Sequence, residues 1–241
     1  MNILISDEAP EGFGLSMTVP QGFSRDLLTV ELVAALRESL GATDSLTQIW
    51  IEDAQMDDDK LLKSIGFSSY RDLWQMRCKF PPNGEGIATR SYICGVDDEA
   101  FLEVNARAFS WHPEQGSLDL SKLDDLFKEE WFDDEGFLLL EVENRLAGFC
   151  WTKVHHQSDL TLGEIFAIAV DPDFHGRGFG KPLTISGLNY LANVGADLGM
   201  LYVEADNMPA IRIYEDIGFT HFSTNRAVSY THLTLPTTPY V

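Results

Sequence analysis

Residues 167–183 read AIAVDPDFHGRGFGKPL: an apolar run to Val170, a turn at Asp171-Pro172, and a glycine-spaced loop from His175 to Gly180. The apolar Ile168, Ala169 and Val170 predict a strand buried on both faces. Lys181-Pro182 predicts the first turn of a helix, where the missing proline N–H costs nothing. Between them, Gly176, Gly178 and Gly180 let backbone N–H groups approach an anion closely, and the helix N-terminus adds partial positive charge. Arg177 and Lys181 place cations beside this nest. Such a loop is a candidate phosphate cradle, and taken alone it is also readable as no more than a tight strand-to-helix turn.

Working outward, the flanking patterns alternate between strand and helix periods. Downstream come a strand over 200–204, Asn207, an amphipathic helix over 208–217, a Gly218-Phe219 stop and a further strand. Upstream lies a strand over 164–170. Before it, a hairpin of 137–142 and 146–154 turns at Glu143-Asn144-Arg145. Helices are expected from Asp97 through Ala108 and over Leu123, Leu126 and Phe127, the second capped by Asp119 or Ser121. A strand over 87–93 would open this part. The order predicts an α/β (α+β) domain with a mixed sheet.

The segment 80–86, FPPNGEG, resists both helix and strand and reads as a linker. It separates a partial domain, 1–80, from the main domain, 87–228. In the short piece, strands at 15–19, 48–52 and 73–77 alternate with helices at 27–40 and 57–65. KSIGFSSYRDLWQMR (63–77) matches YEDIGFTHFSTNRAVSY (214–230) in pattern: a helix ends in Ile-Gly-Phe and a strand follows. This predicts an internal repeat whose N-terminal copy is incomplete.

The chain of 241 residues carries 38 Asp+Glu against 17 Lys+Arg, a net charge of -21. That surface argues against nucleic acid and anionic lipid as partners. No stretch reads as a membrane span. Cys78, Cys94 and Cys150 are odd in number and lack metal-ligand spacing, and the N-terminus lacks a signal-peptide pattern, so a cytoplasmic, metal-free protein with unpaired thiols is expected, and a monomer besides.

The loop and the 201–219 segment together resemble the GNAT superfamily, whose pyrophosphate loop reads Gln/Arg-x-x-Gly-x-Gly/Ala; His175 stands where that pattern has Gln or Arg. More closely, NARAFSWHPEQG, EWFDDEGF, GFCWTKVH, LGEIFAIAVDP and LYVEADN resemble the mycothiol synthase family of tandem GNAT enzymes. The resemblance spans about 13–226. It implies a tandem GNAT fold, a mixed and mostly antiparallel sheet flanked by helices. It also implies acetyl-CoA as acyl donor and the cysteinyl amine of desacetylmycothiol as acceptor.

On this resemblance, CoA contacts fall on Ile168, Ala169, Val170, His175, Gly176, Arg177, Gly178, Phe179, Gly180, Lys181, Asn207, Met208, Pro209, Ala210, Ile211 and Arg212. Acceptor contacts fall on Glu114, Lys153, Glu164 and Tyr202. Glu164 suits a general base, because an amine attacks only when neutral, and Tyr214 suits the acid that protonates the departing thiolate. His112, His155 and His156 read as structural or rim residues. An acetyltransferase of another small amine, or a non-catalytic acyl-CoA-binding module, remain alternative readings.

Two stretches depart from the family pattern. The short piece has Pro20-Gln21-Gly22-Phe23-Ser24-Arg25-Asp26-Leu27-Leu28 at the matching place, where Asp26 would repel a pyrophosphate. The segment 229–241 is an atypical Thr- and Pro-rich tail without charge that resembles translated adapter sequence.

Overall fold

A computed structural model describes residues 3–5, 13, 15–39, 46–110 and 115–230 of the chain. They divide into two compact units. The first takes the described residues up to Trp74, with Glu204–Asp206 and those from Ser223; the second takes Gln75–Val203 and Asn207–Phe222. In chain order the elements are β1 (Leu4–Ile5), β2 (Leu15–Val19), α1 (Val30–Ser39), β3 (Thr47–Ile51), α2 (Asp58–Ser64), β4 (Phe67–Lys79), β5 (Arg90–Ser91) and α3 (Asp98–Ala108). There follow α4 (Leu120–Leu126), β6 (Phe137–Val142), β7 (Arg145–His156), β8 (Thr161–Val170), α5 (Gly180–Asn193), β9 (Leu198–Glu204), α6 (Met208–Ile217) and β10 (Thr220–Tyr230). Glu114, His112 and the tail 231–241 lie outside the described residues.

In the first unit β2 and β3 run parallel from Leu15↔Thr47 to Val19↔Ile51. β1 flanks β2, and Arg226–Ser229 of β10 pair antiparallel with β3. The core is Met17, Val19, Ile49, Ile51, Leu62, Ile65, Phe67 and Val228. α2 ends at Gly66, whose φ of +88° suits glycine, and Phe67 turns straight into the core. The strand expected to begin at Leu73 begins at Phe67. Its polar residues are accommodated by ion pairs, Arg71 with Glu204 and Asp72 with Arg226. The helix expected from Leu27 starts at Val30, after a short 3-10 turn over Arg25–Leu27, and Thr29 Oγ1 accepts from Leu32 N at 3.2 Å.

In the second unit β8 runs parallel to β9 and antiparallel to β7, β7 pairs antiparallel with β6, and β6 with β5. The β6–β7 hairpin turns through Glu143 and Asn144, both at positive φ (57° and 60°), as a two-residue turn requires. α5 covers one face so closely that a Cβ on Gly187 would lie 2.4 Å from Cys150 Sγ. α3 and α4 cover the other face over an aromatic core, in which Phe137 is stacked at 4.3 Å against both Tyr92 and Trp151. Such pairs contribute about 0.5–1.5 kcal/mol beyond their buried area. Asp119 caps α4, accepting from Lys122 N at 2.9 Å. The strand expected over 87–93 contracts to Arg90–Ser91. Ser186 Oγ of α5 accepts from Ile87 N at 2.9 Å and donates to its carbonyl at 2.8 Å, which takes both groups out of any ladder. No helix among the described residues is long and apolar enough to cross a membrane.

Candidate active site

The site begins with an irregularity in β8. Trp151 pairs with Ala167 and Thr152 with Ile165, so Phe166 is an extra residue that bends the strand. The ladder with β9 runs from Leu162↔Leu198 to Ile165↔Leu201, and β8 then continues to Val170. Past Ile165 the two parallel strands part. The part-exposed residues Ile168, Ala169 and Val170 therefore present one backbone edge to the gap.

At the end of β8, Asp171 accepts from Asp173 N at 2.9 Å and shapes the turn. His175 Nε2 donates to the Val170 carbonyl at 2.8 Å, clasping the loop to its strand. Gly176 and Gly178 follow at φ +75° and +80°, and a Cβ at either would meet nothing within 4 Å. They are needed for conformation, and their open side is where a ligand would approach. Gly180 is different: its φ is ordinary and an added Cβ would rest 3.7 Å from Ile213 of α6. Among the described residues nothing accepts from the N–H groups of Gly176, Arg177 and Gly178. Phe179 is the N-cap of α5 and supplies no side-chain acceptor, so the helix end adds unsatisfied donors to the same nest.

The cations are less free than the sequence implies. Arg177 pairs with Glu143 at 2.9 Å, an exposed contact worth about 0–1 kcal/mol and easily exchanged for a phosphate. Lys181 leans instead toward the C-terminal end of α6, with Nζ 3.5 Å from the Asp216 carbonyl. In α6, Asn207 caps the helix by accepting from Ala210 N at 3.3 Å, and Pro209 fills the first turn. Met208 and Arg212 are exposed, whereas the Ile211 side chain is buried and anchors the helix. Tyr214 is half-buried against Phe219, and burial holds its hydroxyl well above the usual tyrosine range, with the nearby Cys150 adding to the shift. It is therefore a proton donor at neutral pH.

The face of the sheet turned away from α5 carries the acceptor-side residues. Glu164, opposite Lys153 in the ladder, is buried, and His155 Nε2 lies 2.6 Å from its Oε2. Lys153 Nζ sits 4.2 Å over the Trp131 ring. Tyr202 shares the face by register and accepts from Gln75 Nε2 at 2.7 Å. Beside them a cavity of about 190 Å³ is lined by Phe101, Leu118, Leu126, Trp151 and Phe166. Trp151 of this lining has a buried indole N–H with no hydrogen-bond partner among the described residues. Sequence reasoning placed His155 among rim residues. The signal that finds it is the hairpin register, which sets His155 and Glu164 diagonally across β7 and β8. Among the described residues no group of His, Cys, Asp or Glu could hold a metal ion.

The model of the acetyltransferase (GNAT) family matches residues 100–219. Mycothiol acetyltransferase of Catenulispora acidiphila is 40% identical over 233 residues, covering 92% of this chain and 74% of that protein. A GCN5-related N-acetyltransferase from Sphaerobacter thermophilus superposes with a TM-score of 0.73 at 20% identity, over 94% of this chain and 75% of its own. A tandem GNAT protein from the clavulanic acid biosynthesis pathway gives 0.60 at 14% identity, over 89% and 74%. At these identities the structural likeness is one of fold.

Proposed function

The chain belongs to the GNAT family and, within it, to the mycothiol acetyltransferases, and from that premise we propose that it moves the acetyl group of acetyl-CoA onto the cysteinyl amine of desacetylmycothiol, yielding mycothiol and CoA. The observation that carries the reading is the opening of β8 from β9, with the glycine nest at one end and Glu164 just before the gap.

The residues fit a pyrophosphate: two glycines at positive φ with nothing over them, three loop N–H groups without acceptors among the described residues, and a helix N-terminus. Acetyl-CoA supplies an activated acyl group. The nest holds its phosphates, and the freed edge of β8 is positioned to donate to the thioester oxygen as charge builds there. Glu164, on the face opposite α5, takes the proton from the acceptor amine. An α-amine has an ordinary pKa near 8, so a carboxylate is a sufficient base. Tyr214 returns a proton to the departing thiolate. Lys153, Tyr202 and Glu114 hydrogen-bond the hydroxyl-rich acceptor.

Release of CoA is measured with desacetylmycothiol, spermidine, free cysteine and an aminoglycoside at equal concentration. Desacetylmycothiol is expected to lead by more than about tenfold in kcat/KM, because buried polar partners reject analogues that leave them unpaired. Equal turnover of a polyamine or aminoglycoside would leave only the GNAT assignment. Glu164→Gln should lower kcat by roughly 10²–10⁴ with the acetyl-CoA KM unchanged.

A further inference from the structure

Glu164 is buried, and a buried carboxylate with rotational freedom is a poor base, since only one of its orientations faces the amine. The titratable groups that share its face are Lys153 and His155 on β7 and Tyr202 on β9. The Lys153 ammonium is turned over Trp131, and the Tyr202 hydroxyl is engaged by Gln75. His155 alone among the described residues touches the carboxylate, through Nε2 at 2.6 Å from Oε2, and its own side chain is about a third exposed.

We propose that His155 is the positioning residue of the reaction: its Nε2–H fixes one oxygen of Glu164 and leaves Oε1 aimed at the acceptor amine. The assignment rests on Glu164 being the base. A ring nitrogen facing a carboxylate at this distance must carry the proton, so the contact selects the Nε2–H tautomer.

His155→Gln keeps an N–H donor at the same reach, whereas His155→Leu removes it. In the holding role, His155→Leu lowers kcat by about tenfold or more at unchanged acetyl-CoA KM. His155→Gln recovers most of that loss. Glu164→Gln and the double variant Glu164→Gln/His155→Leu are measured alongside. A double variant no slower than Glu164→Gln supports action through the carboxylate. If Glu164→Gln is slow while His155→Leu runs at the wild-type rate, the positioning role is overturned and the base stands. If Glu164→Gln is itself unimpaired, the base assignment fails and this inference with it. Equal kcat losses in the Gln and Leu variants with an equal fall in Tm would show a merely structural histidine and overturn the proposal.

Discussion

The two units carry the same strand-to-helix passage, and only one of them is open. In the second unit β8 leaves β9 after Ile165↔Leu201 and runs into a loop in which the N–H groups of Gly176, Arg177 and Gly178 find no acceptor among the described residues. In the first, β2 stays paired with β3 as far as Val19↔Ile51, and Glu52 N continues by donating to the Val19 carbonyl at 3.0 Å. Its loop is filled by the protein itself. Gln21 N donates to Glu52 Oε2 at 2.9 Å, Leu27 N to Ser24 O at 3.1 Å and Leu28 N to Arg25 O at 3.0 Å. The Arg25 guanidinium donates to the Glu52 carbonyl at 2.7 Å and meets the buried Asp58 at 3.3 Å. An anion site therefore needs unspent donors as much as glycines, and the first unit has spent those of Gln21, Phe23, Leu27 and Leu28 internally.

The helix ends teach the converse. Ile65-Gly66-Phe67 and Ile217-Gly218-Phe219 share positive φ at glycine (88° and 114°) and bury the flanking residues. The packing device was kept in both copies. One turn earlier, Tyr214 in α6 corresponds to Leu62 in α2, a core residue. On the proposed reading the first unit thus has a counterpart neither of the Tyr214 hydroxyl nor of the glycine pair.

The contrast can be broken most sharply at the loop. Gly178→Asp puts a side chain at φ +80° and a negative charge into the nest, and should cut kcat/KM for acetyl-CoA by at least about 100-fold. Gly180→Ala, with room for its methyl, should stay within about threefold of wild type. Comparable losses in both would mean that the loop serves packing rather than phosphate.

Tyr214→Phe makes the second unit resemble the first at the acid. The expected fall in kcat is about tenfold, less than the usual range for a lost acid because a thiolate leaves well unaided. The raised pKa means the wild-type hydroxyl keeps its proton as pH rises through the ordinary tyrosine value. No loss of rate near pH 10 should then trace to Tyr214. A basic limb near pH 10 that vanishes in Tyr214→Phe would contradict this.

Arg25→Ala probes the closed loop. It strips the buried Asp58 of its cation and should lower stability to urea by about 1–3 kcal/mol while kcat/KM is unchanged. A loss of turnover at unchanged stability would give the first loop a catalytic part.

Much of this was legible in the sequence, because it depends on local signals. The glycine loop, the Asn207 cap, the Glu143-Asn144 turn and the bounds of α6 follow from residue types that fix φ or satisfy helix ends. The bulge at Phe166 and the His155–Glu164 contact were not legible, since both depend on the register between strands, which a single strand does not display. The contraction of the strand at 87–93 was hidden for a similar reason, its groups being claimed by Ser186 from a distant helix.

On the proposed reading the second unit holds one acyl-CoA, and the first, whose loop is braced by Gln21, Arg25, Leu27 and Leu28, holds none. Titration of the whole chain with acetyl-CoA in a calorimeter tests it directly. One equivalent should bind, lost in Gly178→Asp and unaffected by Arg25→Ala. Two equivalents, or one that survives Gly178→Asp, would contradict it.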